Sequence, residues 1–222
     1  MFVGHFAVGL TAKRIAPAIS LGTLVLAAML ADLLWCVFMI AGIEHVEFLP
    51  AIGAGNYFQA SDIAWSHSLL MDSVWGALLA AAYFLRRRSP RGSWILFAAV
   101  ISHWVLDWIA HRPDMPLAPG AHNHYGLGLW TSIPATLLIE GGFWFAAVIL
   151  YARAFPPKGR AGILAFWTVV ALLTLAWYGN ISGPPPRDPH AAPYVSLTLF
   201  SLAIAWAYWM NRLRPAPVAY RK

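Results

Sequence analysis

The chain has 222 residues, of which 60% are hydrophobic and 11% are charged, and its formal net charge is +6. A soluble domain carries roughly 25% charged residues, so this composition excludes an ordinary soluble protein and indicates an integral membrane protein. The single cysteine, Cys36, excludes an intrachain disulfide and a cysteine-based zinc site. The basic residues stand in clusters between apolar stretches, which favours membrane topology signals over nucleic-acid binding.

An apolar N-terminal segment, residues 1–13, opens the chain and is too short to cross a bilayer by itself. We expect it to form a half-inserted or interfacial helix, separated from the next helix by Pro17. Six longer apolar stretches follow, each close to the ~20 residues that cross ~30 Å of hydrocarbon. They are predicted at 20–42, 62–85, 93–111, 129–153, 161–180 and 193–211. The sequence therefore predicts an all-α integral membrane protein: a single domain over residues 1–222, built as a bundle of about six transmembrane helices plus the short N-terminal helix.

The Lys and Arg residues predict the orientation of this bundle. In a six-span arrangement 13 of the 15 basic residues fall on one side, and only Arg112 and Arg187 fall on the other. Cytoplasmic loops carry the excess of Lys and Arg, so the side with 13 is predicted to be cytoplasmic. Both termini then lie in the cytoplasm. The loops that follow the first, third and fifth spans lie outside.

The first three predicted spans carry acids or histidines, which are costly in lipid and therefore suggest a functional site. His103, Asp107 and His111 are spaced i, i+4 and i+8, so they lie on one face of a helix. With a rise of ~1.5 Å per residue, Asp32 and His67 reach a similar depth in the first two spans. Residues from three helices are thus predicted to share one layer near the outer side of the bundle.

The chemistry of this layer favours a metal. Neutral imidazole and carboxylate are the usual ligands of Zn²⁺, Mn²⁺ or Fe²⁺ where thiolates are absent, and we expect zinc first. Structural explanations remain open for single residues. A helix–helix hydrogen bond explains His5 alone equally well, and Glu140, beside two glycines, suits close helix packing equally well. Asp62 is predicted to cap the second span, and Glu44 to lie in a solvated loop.

Four short motifs carry a resemblance to a known family. They are GHFAVG (4–9), LAAMLADLL (26–34), WSHSLL (65–70) and AVISHWVLDWIAH (99–111). In this order they resemble the bacterial inner-membrane metal-dependent hydrolase family, and the order of His and Asp is also similar to that of zinc-dependent phospholipase C. The resemblance covers about the first 120 residues and implies a multi-pass protein of the bacterial inner membrane. It implies metal-site roles for His5, Asp32, His67, His103 and Asp107.

The chain departs from the family pattern at several positions. Ala31 replaces the usual Pro, Ser66 replaces a Thr, and Leu33 to Trp35 replace a second acid and a His. These departures favour a mononuclear site, or one completed by His111, Asp114 or Asp72.

The leading hypothesis is a metal-dependent hydrolase acting on a lipid or another amphiphilic ester or phosphoester through a metal-activated water. Asp72 and Glu140 are the candidate catalytic acids that move protons. The bilayer and a lipid-like substrate are the expected partners, and nucleic acid is not. Two alternatives remain open: a transporter or channel that uses the His/Asp cluster as an ion or proton site, and a non-catalytic membrane scaffold.

Overall fold

The computed structural model describes residues 1–48, 58–183 and 188–217. Within these ranges the helices are α1 Val3–Ile15, α2 Leu21–Ala28, α3 Leu30–Ile40, α4 Ala64–His67, α5 Leu69–Arg87, α6 Pro90–Ala110, α7 Ile133–Ala154, α8 Gly159–Ser182 and α9 Ala192–Leu213. Two antiparallel strand pairs lie in the loops, β1 His45–Phe48 with β2 Phe58–Asp62, and β3 Met115–Pro116 with β4 His124–Tyr125. The predicted all-α architecture is confirmed.

Five helices, α5 to α9, are each long and apolar enough to cross a membrane. The pair α2 and α3 makes a sixth span if the two helices are counted as one, bent by 57°. The last four predicted spans agree with α6 to α9 to within a few residues. Ser132 caps the start of α7, because its Oγ accepts a hydrogen bond from Ala135 N. The bundle of about six spans is thus as the hydropathy pattern predicted.

The first predicted span is not one continuous helix. It breaks at Met29, whose backbone angles are φ −103° and ψ 8°, and α3 continues in a new direction. Neither Pro nor Gly occupies the break, so the sequence carries no local signal for it. At the break, the carbonyl oxygen of Ala28 lies 2.7 Å from Nδ1 of His103 on α6.

The second predicted span begins later than expected. Residues 58–62 form β2, α4 is a single turn, and α5 starts at Leu69 because Ser68 is extended (ψ 150°) and its Oγ accepts a hydrogen bond from Met71 N. Serine is a favoured N-cap, and this one interrupts the helix inside an apolar run. Asp62 is not the predicted cap: it ends β2, and its Oδ2 lies 3.3 Å from His45 Nδ1.

The N-terminal helix α1 lies inside the bundle. It packs against α2, α6 and α7, and most of its side chains are buried, so the interfacial alternative is wrong while the half-inserted one holds. Gly9 permits the close approach to α2, because a Cβ at this position would lie 2.7 Å from Val25 Cγ2 and 3.1 Å from Val25 Cα. Large aromatic side chains hold α1 against the later helices: Phe6, Trp144, Phe166 and Phe200 share one core.

The basic residues gather at one end of the bundle, here called the basic end. Arg91 donates to Ile15 O over 3.4 Å, and Arg214 donates to Phe155 O over 2.8 Å, so each joins two helix ends within its own half of the chain. Lys13 and Arg86 line one groove there. Arg187, Arg221 and Lys222 lie outside the described residues. Met1 lies in the interior of the bundle, away from this end.

Candidate metal centre

Side chains from α3, α4 and α6 converge in the half of the bundle opposite the basic end. His103 Nε2 lies 3.2 Å from Asp107 Oδ2 and 3.8 Å from Asp32 Oδ1. His67 Nε2 lies 3.6 Å from Asp32 Oδ1 and 3.8 Å from Asp107 Oδ2. The break at Met29 directs Asp32 inward from the first turn of α3, and the turn of α4 brings in His67. The structure therefore brings together the four residues that the sequence placed in one layer.

The protonation of His103 follows from its other ring nitrogen. Nδ1 lies 2.7 Å from the carbonyl oxygen of Ala28, which can only accept a hydrogen bond, so Nδ1 carries the proton. In the neutral ring Nε2 then carries no proton, and its lone pair is available to a ligand. This atom is fully buried and accepts no hydrogen bond from the described residues.

His67 is oriented in a similar way by side chains. Its Nδ1 lies 2.7 Å from Ser66 Oγ, and Ser66 Oγ lies 2.6 Å from Glu44 Oε2. The carboxylate accepts the hydroxyl proton, so the hydroxyl oxygen accepts the proton of His67 Nδ1. His67 Nε2 is left, like that of His103, as a lone pair that faces the two aspartates.

Glu44 was predicted to lie in a solvated loop, and this is wrong. Its side chain is fully buried, and Ser66 N also donates to Oε1 over 2.7 Å. Burial raises the pKa of the Glu44 carboxyl above its ordinary value, while the hydrogen bonds from Ser66 act in the opposite direction. No sequence pattern pointed to this contact, because Glu44 and Ser66 are joined only by the packing of the loop on α4.

The donor set fits a divalent cation. Two imidazole lone pairs face two carboxylates, so four hydrogen-bond acceptors lie close together. Either a cation or additional protons must compensate their negative charge and mutual repulsion. Ligand atoms held at 2.0–2.2 Å around a tetrahedral ion stand roughly 3.4 Å apart. The four imidazole–carboxylate distances, 3.2, 3.6, 3.8 and 3.8 Å, are close to that value and mostly too long for good hydrogen bonds. Asp32, His67 and His103 each offer a ligand atom within 4.8 Å of the other two, so they form the first group of potential ligands.

His5 forms a second group with His103 and Asp107, whose ligand atoms lie within 4.8 Å of one another. Its Nε2 lies 3.1 Å from Asp107 Oδ1, and its ring stacks on that of His103 with 3.7 Å between centroids. The α-amino group of Met1 contacts the same carboxylate oxygen and lies 3.1 Å from His5 Nε2. His103 belongs to both groups, and Asp107 directs Oδ1 to His5 and Oδ2 to His67 and His103.

His111 is not part of either group in the described part of the chain. Its Nδ1 lies 3.1 Å from Asp114 Oδ1, and its ring lies 4.9 Å from that of Trp130. It is the residue that follows the end of α6, and its ring contacts Asp114 and Trp130. His111 still lines the same cavity.

The two predicted catalytic acids lie outside the cavity. Asp72 is fully buried in the first turn of α5, and neither carboxylate oxygen has a hydrogen-bond partner among the described residues. Glu140 accepts hydrogen bonds from Gly4 N and Trp130 Nε1, both at 3.2 Å. Glu140 therefore holds the first turn of α1 beside the cluster.

A cavity of about 270 Å³ connects the cluster to the surface. Its walls include His5, Asp32, His67 and Asp107 together with apolar side chains. The apolar and weakly polar wall is formed by Phe2, Trp35, Ile63, Ala176, Asn180, Ser196, Leu199 and Phe200. Asn180 and Ser196 were not predicted, because single polar residues near helix ends carry no signal in the sequence.

The fold and the site define a multi-pass helical membrane protein with a buried His/Asp cluster at the end of an amphipathic cavity. No protein-family model, no curated protein and no solved structure matches the chain. The cluster itself is therefore the feature on which a function is argued.

Proposed function

We propose that the protein is an integral membrane metal-dependent hydrolase that acts on a lipid or another amphiphilic ester or phosphoester. The observation that carries this proposal is the convergence of Asp32, His67 and His103, whose ligand atoms lie within 4.8 Å of one another, with Asp107 Oδ2 at 3.2 Å from His103 Nε2. The motif resemblance drawn from the sequence points to the same residues. Zn²⁺ is the first candidate ion, and Mn²⁺ and Fe²⁺ also suit imidazole and carboxylate.

Five residues have distinct roles in binding the metal. His67 and His103 present their Nε2 atoms, Asp32 and Asp107 supply negative charge, and His5 is placed to complete the set. When bound, a divalent cation supplies Lewis-acid chemistry that polarises an ester or phosphoester oxygen and makes water a better nucleophile at neutral pH.

Proton exchange is assigned to His111. It lines the cavity, and its contact with Asp114 through Nδ1 directs the other ring nitrogen away from that carboxylate. Asp72 and Glu140, proposed from sequence as the proton-moving acids, do not line the cavity. We therefore place Glu140 as a residue that holds α1, and Asp72 as a buried acid behind the cluster.

The shape of the cavity supports an amphiphilic substrate. Phe2, Trp35 and Leu199 offer apolar surface in the same cavity as the charged cluster, so an ester head group and a hydrocarbon chain can be accommodated together. Leu199 is 54% exposed on the membrane-spanning helix α9, so the cavity reaches the face that lipid covers.

The orientation is proposed from charge. The basic end carries most Lys and Arg residues and is assigned to the cytoplasm, which puts the cluster in the outer half of a bacterial inner membrane.

Metal analysis of the purified protein tests the proposal. The wild type in detergent, dialysed without chelator, is expected to hold about one zinc or manganese per chain. Mixed micelles of phosphatidylethanolamine and phosphatidylglycerol are then incubated with the protein, and lysolipid, diacylglycerol and phosphatidic acid are measured by mass spectrometry. A protein that takes up no metal from Zn²⁺ or Mn²⁺ solutions contradicts the proposal, and proton flux in proteoliposomes would then favour the ion pathway.

A further inference from the structure

Glu44 differs from its neighbours in the loop after α3. Ile43 is 50% exposed and the His45 side chain is 71% exposed, whereas Glu44 is fully buried. A carboxylate is costly to bury without partners, so its inward position has to be compensated by specific contacts. Ser66 supplies such contacts through both its amide and its hydroxyl.

The hydroxyl of Ser66 links this carboxylate to the cluster. It donates to Glu44 Oε2 at 2.6 Å and accepts from His67 Nδ1 at 2.7 Å. Each hydrogen bond determines the direction of the next, because the carboxylate can only accept and the hydroxyl has a single proton. The result is a chain of two hydrogen bonds that runs from an external loop to the imidazole beside Asp32.

We propose that Glu44 and Ser66 are positioning residues that hold His67 in the tautomer and ring orientation needed to bind a metal. This inference rests on the proposed function, since it assigns His67 Nε2 as a ligand. The carboxylate keeps the hydroxyl proton away from His67, the hydroxyl keeps the proton of His67 on Nδ1, and Nε2 stays open toward Asp32 and Asp107. Hydrogen bonds of this kind also raise the basicity of the ligand nitrogen.

His103 shows why His67 depends on these side chains. His103 donates to a backbone carbonyl, which no substitution of a side chain removes. His67 lies on the one-turn helix α4, between β2 and the cap at Ser68, and such a short helix restrains a side chain poorly. Its ring orientation is therefore set by Ser66 and Glu44.

The test compares two serines on either side of His67. Ser66→Ala removes the hydroxyl that contacts the ring. Ser68→Ala removes an equally buried hydroxyl that caps α5 and accepts from Met71 N. Zinc affinity is measured on each purified full-length variant by competition with a chromophoric chelator, and the Co²⁺ absorption spectrum reports the ligand geometry. Melting temperature is measured on the metal-free proteins.

Ser66→Ala is expected to weaken zinc binding by ~10–100-fold and to change the Co²⁺ spectrum. Ser68→Ala is expected to lower the melting temperature and to leave zinc affinity within about threefold of wild type, as for a lost helix cap. Ser66→Thr keeps the hydroxyl and should restore most of the affinity. Glu44→Gln keeps the size of the side chain but retains only one of the two acceptor oxygens, so it should weaken zinc binding in the same direction.

The outcomes separate this inference from the proposed function. If the wild type binds zinc tightly and Ser66→Ala and Glu44→Gln both bind it within threefold, the positioning role is wrong and the metal centre stands. A wild type that binds no zinc overturns both. Should Ser66→Ala fail to fold, Glu44→Gln decides by the same threefold criterion.

Discussion

His103 donates a hydrogen bond from Nδ1 to the carbonyl oxygen of Ala28, over 2.7 Å. In a continuous helix this carbonyl would accept from the amide of Asp32 four residues on. The break at Met29 instead turns it toward α6, and the same break aims Asp32 at the cluster. One irregularity in the first span therefore orients two members of the site, His103 and Asp32.

Replacing Asp107 tests the centre most directly. Asp107 directs one oxygen to His5 and the other to His67 and His103, so Asp107→Ala is expected to reduce zinc affinity by more than the ~100-fold typical of losing an outer partner. The bundle should still insert, since apolar helix packing does not depend on this carboxylate. Zinc content and melting temperature are measured on the same preparation. A sharp fall in melting temperature, with a wild type that never held metal, contradicts the metal centre.

Glu140 is a second buried acid, and its substitution serves as the control for Asp107→Ala. Glu140→Gln leaves one acceptor for two donors, Gly4 N and Trp130 Nε1, so one donor loses its partner at a cost of ~1–3 kcal/mol. The expected result is a lower melting temperature in detergent with zinc stoichiometry retained. Loss of zinc without loss of stability would instead make Glu140 part of the metal site.

Gly9 and Gly142 are a pair that tests the placement of α1. A Cβ at Gly9 would meet Val25 Cγ2 at 2.7 Å, whereas nothing lies within 4 Å of a Cβ at Gly142. Gly9→Ala is expected to destabilise the protein by ~1–3 kcal/mol and to lower zinc content, because α1 carries His5. Gly142→Ala should stabilise helix α7 by up to ~1 kcal/mol and leave zinc content unchanged. Equal effects of the two substitutions on melting temperature would argue against the close contact of α1 with α2.

Replacing His111 tests zinc binding and hydrolysis separately. Because it lines the cavity but belongs to neither group of potential ligands, His111→Ala is expected to retain zinc while it lowers hydrolysis in mixed micelles by ~100-fold or more. Zinc content and product formation are measured together. A variant that loses its zinc would return His111 to the ligand set proposed from the sequence.

The orientation of the bundle is tested by labelling single cysteines in a Cys36→Ala background. A maleimide that does not cross the membrane should label Asn123→Cys in intact cells and should label Arg87→Cys only after the membrane is opened, since Arg87 lies at the basic end. The reverse pattern would move the cluster to the cytoplasmic half of the membrane.

The sequence by itself determined the class of the protein and the composition of the cluster. Long apolar runs predict membrane helices from length alone, and the spacing of His103 and Asp107 puts both on one helix face wherever that helix lies. Asp32 and His67 could be added because helix rise gives depth. None of these inferences needs to know which helices are neighbours.

Only the tertiary structure decided how the residues are oriented. The break at Met29 and the inward position of Glu44 depend on contacts between segments distant in the chain, and no local pattern encodes them. The same holds for Glu140, whose partner Gly4 lies on α1. A ring tautomer is set by whichever atom faces its second nitrogen, and for His67 and His103 that atom is supplied by the packing of neighbouring segments.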